Sequence, residues 1–455
     1  MRTTTLGAAC MLSTPLLASS GLADVQGRPL ANARNLPPLP EQPFTDTLRE
    51  VVLSGLKAVP TAGGLLSYLG SLFIPYAGLT PDERWLQVID ARISEALFRK
   101  VQRHLVGLSD AATQYRNAVA AGDMREIMQT SISVNTLFLG LVPSFQISGE
   151  EVPLLPVFVI AATLHLSLLR DMALKGREIG LNDASITNYK RDLERRIGEY
   201  IRYVDRFVAQ ALDGAKTANP NTGLPRTRNQ PLNAMLIEKA NLQINVLDIR
   251  DTWHAFDAVK FPGSVTVRLN REVFSEVCGW WDAFSKAPSQ LPDWKPPTSR
   301  IATLRLWDKA QWRTSFLAGF SVGYAGGGAW LETGEKTGEP LPWGLRDNYI
   351  TRVEGHFSSG IINMIFFAGS RGERYQFGRN AEPNQARYQA GLAGHCLSSI
   401  RSIGKATKGS TAEGLVSGCI FGFQLMNQEA RPISAAAFEQ VAPTIAPRLL
   451  DWVTS

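Results

Sequence analysis

Few residues in this 455-residue chain are placed to do covalent chemistry. Its five histidines are scattered, and Cys10, Cys278, Cys396 and Cys419 keep no zinc-ligand spacing. No G-x-S-x-G, H-E-x-x-H or Walker loop is present. Gly326-Gly327-Gly328 precedes no predicted helix, so it does not read as a phosphate cradle. Glu150 and Glu151 are adjacent carboxylates, as acid–base catalysis would use. Such work needs a cleft, and these two stand between uncharged runs where a loop leaves them in water. His165 lies inside one of those runs with no second ligand in view, and reads as a hydrogen-bonded core histidine. The expectation is a protein that is not an enzyme and needs no cofactor and no metal.

What remains is the physical chemistry of apolar surface. Ile127 to Gly149 holds no charged residue, Glu150-Glu151 follow, and Val152 to Leu169 is again uncharged before Arg170-Asp171. At about 1.5 Å per residue each arm spans or nearly spans a hydrocarbon core of about 30 Å. Two such arms joined at an acidic tip predict a helical hairpin. Its candidate membrane-inserting residues are Ile132, Leu137 and Leu141 on the first arm and Glu150 and Glu151 at the tip. Leu154, Phe158, Leu164, His165 and Leu168 are those of the second arm. Thr130, Ser131, Ser133, Asn135 and Thr136 give the first arm a small polar stripe. The second arm is apolar nearly all round, as a helix at the centre of a bundle would be. Pro153 and Pro156 predict that its regular helix starts near Pro156.

The flanking chain must cover these arms in water. Trp85, Ile89, Ile93, Leu97, Val101 and Leu105 recur every fourth residue, predicting a helix over 82–108 that continues toward Ala121. Gly122-Asp123 punctuates it and offers an N-cap. Asp183 to Leu212 is strongly amphipathic, and Pro231 to Trp253 gives a further helix. That makes six or seven helices with the apolar arms in the middle of the order.

After Phe261-Pro262-Gly263 the period changes. Val265, Val267 and Leu269 alternate, Ile350 to Gly355 and Ile361 to Phe367 read as paired strands, and Leu397 to Ile403 with Gly418 to Leu425 read as another pair. The N-terminus has the pattern of an export signal: Arg2, an uncharged Leu6 to Leu22, and small residues before a cut after Ala23. Outside the cytosol Cys396 and Cys419 are a candidate disulfide with Cys278 left over, the alternative being buried free thiols. With a net charge of +6 and a pI near 9.1 the chain is mildly basic, which suits anionic membranes. No run of five basic residues supports nucleic-acid binding.

Val152-Pro153-Leu154-Leu155-Pro156-Val157, continuing through Leu164-His165-Leu166-Ser167-Leu168-Leu169-Arg170-Asp171, resembles the central-helix block of the insecticidal δ-endotoxins, the Cry toxins. Val59 to Leu66, Asp183 to Leu212, Val246-Leu247-Asp248-Ile249 and Phe261-Pro262 are similar to further blocks of that family in the same order. The resemblance covers about residues 44–275. It implies a seven-helix pore-forming bundle with a central hydrophobic helix, whose fourth and fifth helices, here Asp123 to Phe145 and Val152 to Leu174, insert as a hairpin. Asn348 to Gly378 and Gly394-His395 onward resemble jacalin-related lectins, which implies a β-prism of three sheets. Gly326, Gly327, Gly328 and Trp330 are the residues this second resemblance offers for glycan or receptor binding. Tight turns explain the glycines equally well. Gly414-Leu415-Val416-Ser417-Gly418 lacks the acidic sugar anchor common in the mannose-type members.

The expected architecture is multidomain α and β. A signal peptide (1–23) and a leader or pro-segment (24–43) precede a δ-endotoxin-like bundle (44–262), a connecting segment (263–300) and a jacalin-like β-prism (301–455). The expected function is a secreted pore-forming toxin that binds a target-cell membrane through a surface receptor or glycan and oligomerises on insertion. The alternatives are a secreted lectin-like protein with a non-inserting helical scaffold, and an interaction protein that oligomerises through the prism.

Overall fold

The structure, a computed structural model, describes residues 95–425, except 223–229, 264–270, 280–290, 292–293, 312–313, 329–330, 337, 347, 359–360, 379–385, 393–394 and 406–415. The export segment and leader, the helices expected before Glu95, the strand expected at Val265 to Leu269, Trp330 and Gly414-Leu415 lie outside these residues.

Helix α1 (Glu95–Ala121) buries Leu97, Val101, Leu105, Leu108, Ala111, Tyr115 and Ala118, the three-and-four spacing of one helical face. It stops at Gly122, whose φ of +76° a residue with a Cβ rarely adopts. Asp123 then caps α2 (Met124–Leu141), its Oδ1 accepting from the backbone of Arg125 and Glu126 at 2.8 and 3.2 Å. A 3₁₀ turn (Val142–Phe145) leads to the tip.

Helix α3 (Glu151–Lys175) is the centre of the bundle, and every residue from Leu154 to Ala173 is buried. It begins at Glu151 rather than near Pro156. Pro153 sits in the first turn, where its missing N–H costs nothing, and Leu154 N already bonds Glu150 O at 3.1 Å. Pro156 is inside the helix, and full enclosure by neighbouring helices holds the turn that lacks its bond. Helix α4 (Asp183–Ala218), capped by Asn182, lays Leu193, Ile197, Tyr200, Val204 and Phe207 against α3 and turns its charges outward. Helix α5 (Gln230–Leu242) passes through a π-turn (Gln243–Leu247) into the short α6 (Asp248–Thr252) and a closing 3₁₀ turn (Trp253–Phe256). Trp253 is fully buried and its indole donates to Thr163 Oγ1 of α3 at 2.8 Å.

The second half forms three four-stranded antiparallel sheets. The first pairs β11 (His395–Lys405) with β12 (Val416–Leu425), and β12 also pairs the short β1 (Val273–Phe274) and β2 (Cys278–Gly279). The second runs β10-β7-β8-β9: Ala386–Gly391, Ile350–Ser358, Ile361–Gly369 and Arg374–Phe377. The third runs β5-β4-β3-β6: Leu331–Gly334, Thr314–Tyr324, Ile301–Gln311 and Leu341–Gly344. Their inward residues, among them Leu304, Phe320, Val353, Phe367, Leu397 and Phe421, meet in one core, the arrangement of a β-prism. The two strand pairs expected from alternation are present as β7–β8 and β11–β12. The stretch read as a connection instead supplies two strands, β1 and β2, to the first sheet.

Gly378 shows how tightly the prism closes. Its φ is +84°, and a Cβ there would stand 2.0 Å from Asn363 O on β8. Gly378→Ala is expected to destabilise the prism by about 2 kcal/mol or more, read as a lower thermal midpoint of the strand half.

Of the two readings of Cys396 and Cys419, candidate disulfide or buried free thiols, the structure shows the second, and all three described cysteines are free and buried. Register is the reason. Cys396 faces Gln424, five positions from Cys419 (424 − 419) along β12, a separation of about 17 Å. The residues opposite Cys419 are Ser402 on one side and Cys278 on the other.

The halves meet where α5 lies on the first sheet. Leu232 and Leu236 pack on Val277 and Ile420, and Ala240 packs on Val273. Asp248 of α6, buried, accepts from Arg271 at both carboxylate oxygens (2.9 and 2.6 Å), while Gln243 from the π-turn donates to the same group at 3.0 Å. Arg271 also donates to His395 Nε2 of β11 at 2.7 Å. The neighbouring Glu272 turns the other way and accepts from the hydroxyls of Ser398 and Ser399 at 2.5 and 2.6 Å.

The candidate functional site: a stored helical hairpin

Helices α2 and α3, joined by the 3₁₀ turn and the tip, are the hairpin expected from the uncharged arms. Leu154, Phe158, Leu164, His165 and Leu168 are all buried among α2, α4 and the closing turn. Leu141 is half-buried, and Ile132 and Leu137 are 45% and 44% exposed. The outer face of α2 thus presents apolar side chains to water alongside Gln129, Ser133 and Thr136. Arms described by charge alone did not reveal this, because exposure depends on which side the neighbouring helices leave open.

Glu150 and Glu151 are half-buried at the tip. Glu151 Oε2 accepts from Gly149 N at 2.8 Å, a local turn contact. They line no cleft with a second acid or base, and the described residues hold no cluster of His, Cys, Asp or Glu arranged for a metal.

His165 is fully buried and bonded at both ring nitrogens. Nε2 lies 3.1 Å from Asn135 Oδ1 on α2, and Nδ1 lies 2.7 Å from Tyr200 Oη on α4. With the Asn135 amide oxygen as acceptor, Nε2–H donates and Nδ1 accepts from the tyrosine. The ring therefore holds three helices in register around the centre, a structural role. Tyr200→Phe leaves Nδ1 buried without a donor and is expected to cost about 1–2 kcal/mol of stability, measured by denaturant unfolding.

Five hydroxyls of the hairpin are satisfied locally. Ser131, Ser133 and Thr136 of α2, and Thr163 and Ser167 of α3, each donate to the carbonyl four residues earlier, at 2.6–3.0 Å. A hydroxyl bonded to its own helix carries its partner wherever the helix goes, which lowers the cost of placing it in hydrocarbon. At the far end of α3, Arg170 donates to the carbonyls of Phe256, Phe261 and Gly263 at 2.7–2.9 Å, and Asp171 Oδ2 accepts from Tyr115 of α1 at 3.1 Å. Burial, and then the Asp171 carboxylate, push the Tyr115 hydroxyl well above its ordinary range, so it stays a donor. These contacts tie the charged end of the central helix to α1 and to the exit toward the prism.

Gly326, Gly327 and Gly328 form the exposed turn between β4 and β5. Gly327 and Gly328 have φ of +73° and +97°, and Gly326 N donates to Ser299 Oγ at 3.2 Å. Turn geometry alone accounts for these glycines.

Residues 51–257 match the family described as delta endotoxin, N-terminal domain. The pesticidal crystal protein Cry1Ia of Bacillus thuringiensis subsp. kurstaki is 30% identical over 202 residues, covering 42% of this chain and 27% of that protein. The parasporal crystal protein Cry18Ca of Paenibacillus popilliae is 27% identical over 241 residues, covering 50% and 33%. The matched part of the chain thus spans about a quarter to a third of these relatives' length. The solved insecticidal crystal protein Cry7Ca1 of Bacillus thuringiensis superposes with a TM-score of 0.62 at 19% identity, over 86% of this chain and 76% of that one. PirB superposes with a TM-score of 0.58 at 16% identity, over 85% and 95%. A helical bundle around a buried apolar helix, followed by a three-sheet prism, is the fold these structures share with it. Residues 51–257 thus match the delta-endotoxin N-terminal domain, and a β-rich domain follows the helical one.

Proposed function

We propose that this protein is a secreted pore-forming toxin whose α2–α3 hairpin leaves the bundle and crosses a target-cell membrane. The observation that carries the reading is α3: 25 residues, about 37 Å long at 1.5 Å per residue, apolar enough to span a bilayer and enclosed on every side in the folded state. A fully enclosed helix of this kind also suits a core that never leaves water. The self-bonded hydroxyls of α2 and its exposed Ile132 and Leu137 favour insertion, since a scaffold helix gains nothing from apolar residues facing solvent.

In this reading α2 supplies the pore lining through Gln129, Ser133 and Thr136, and α3 supplies the lipid-facing anchor. The prism, strands β1 to β12, binds the cell surface. Gly326 to Gly328, with Trp330 beside them in sequence, are candidates for contact with a receptor or glycan. Oligomerisation follows insertion, because one hairpin cannot enclose a water-filled pore. Dye release from liposomes tests the proposal with the full chain, before and after limited proteolysis. Release that rises with protein concentration is expected. Intact vesicles at micromolar protein, across neutral and anionic lipids and from acid to alkaline pH, would leave the lectin-like scaffold as the better account.

A further inference from the structure

Cys278 and Cys419 are Cα partners in the antiparallel pairing of β2 with β12. Residues directly opposite in such a ladder have Cα atoms about 4.5–5.5 Å apart and side chains on one face of the sheet. A disulfide bridges Cα separations of about 4.4–6.8 Å. Register alone therefore places this pair in bonding range. Both side chains are fully buried in the prism core. The facing strand leaves room for sulfur: a methyl group on Gly355 of β7 would stand 2.8 Å from Cys278 Sγ.

We propose that Cys278 and Cys419 are a structural disulfide site, joined as the chain folds in an oxidising compartment. The timing follows from burial, which holds both thiols far above the ordinary range, whereas Cys396 is raised to about 11. Once folded, the two are shielded from oxidants and scarcely ionise, so the bond forms before the sheet closes. A small-molecule disulfide such as oxidised glutathione is a sufficient oxidant. One cysteine thiolate attacks it, releases a glutathione thiolate and forms a mixed disulfide. The second cysteine thiolate attacks the protein sulfur, releases the other glutathione and closes the bond. Two protein thiols are oxidised, one glutathione disulfide is reduced, and the protein loses two hydrogens.

The bond would staple the strand by which the chain enters the prism to β12. Any parting of the helices from the prism would then begin upstream of Cys278. The test is a linkage map, read without any leakage assay and so independent of the proposed toxin activity. The full chain, unfolded and reduced, is refolded in a glutathione redox buffer, trapped with N-ethylmaleimide and digested without reduction. Mass spectrometry is expected to find Cys278 joined to Cys419, with Cys10 and Cys396 alkylated. The linked protein is expected to melt roughly 5–10 °C above the same protein kept in dithiothreitol. Cys396→Ser keeps the linkage, and Cys419→Ser loses both it and the dithiothreitol-sensitive increment. Alkylation of all four cysteines when the refolded protein is trapped in denaturant, or a bond to Cys396, overturns the assignment. The wild-type map decides the matter even if Cys419→Ser does not fold, and protein exported to a bacterial periplasm gives the same Cys278–Cys419 bond without refolding.

Discussion

Ile132→Asp is expected to leave the folded protein intact and to suppress liposome leakage by roughly 100-fold or more. Ile132 lies at the middle of α2 and is 45% exposed in the stored state. A surface change of this kind alters folding stability by about 0.5 kcal/mol or a little more, the weak helix propensity of aspartate included. Hydrocarbon is far less forgiving. At the centre of a spanning helix aspartate is disfavoured over isoleucine by about 3–4 kcal/mol, which is roughly a hundredfold to a thousandfold in the insertion equilibrium of each chain. Ser133→Asp is the matched control. It adds the same charge one position on, about 100° around the helix on the polar stripe, where a pore lining keeps it in water. It is expected to keep leakage and to shift ion selectivity toward cations. Thermal midpoint and dye release are read on both variants. Undiminished leakage by a well-folded Ile132→Asp protein would show that this face of α2 never meets lipid.

That experiment rests on a distinction the amino-acid pattern carried only in part. The two uncharged arms, the cap at Asp123 and the amphipathic α4 follow from local physics, namely charge, spacing and a side chain that can bond a free N–H, so they were readable. Strands β7, β8, β11 and β12 followed from alternation for the same reason, and the other described strands did not. The start of α3 was misplaced because proline's local penalty was weighed without the enclosure that offsets it. Which residue stands opposite Cys419 was not readable, because register between strands as far apart in the chain as β2 and β12 is settled by packing and bulges. That Gln243, Asp248, Arg271 and His395 meet at the seam between the halves left no sequence signal, although Asp248 and His395 lie in blocks that carry the two resemblances. Its members are far apart in the chain, and each alone looks like an ordinary surface residue.

Arg271→Met at that seam is expected to weaken the hold of the helical half on the prism by about 3–5 kcal/mol. The two side chains are 9% and 1% exposed, so removing the cation strands the Asp248 carboxylate where water reaches it poorly, with the Gln243 amide still donating to it. A buried ion pair adds little net stability when it replaces well-packed apolar groups, but half of one is costly. The double variant Asp248→Asn/Arg271→Met removes the stranded charge and is expected to recover most of the loss. If leakage requires the helices to part from the prism, the single variant also releases dye at a lower activating dose than wild type, while the double variant returns toward it. Denaturant unfolding followed separately in the helical and strand signals, with dye release alongside, reads both effects. A double variant as damaged as the single one would assign the seam's strength to the packing of α5 on β1 and β12 instead. The carboxylate would then be a passenger in an interface held by Leu232, Leu236, Val277 and Ile420.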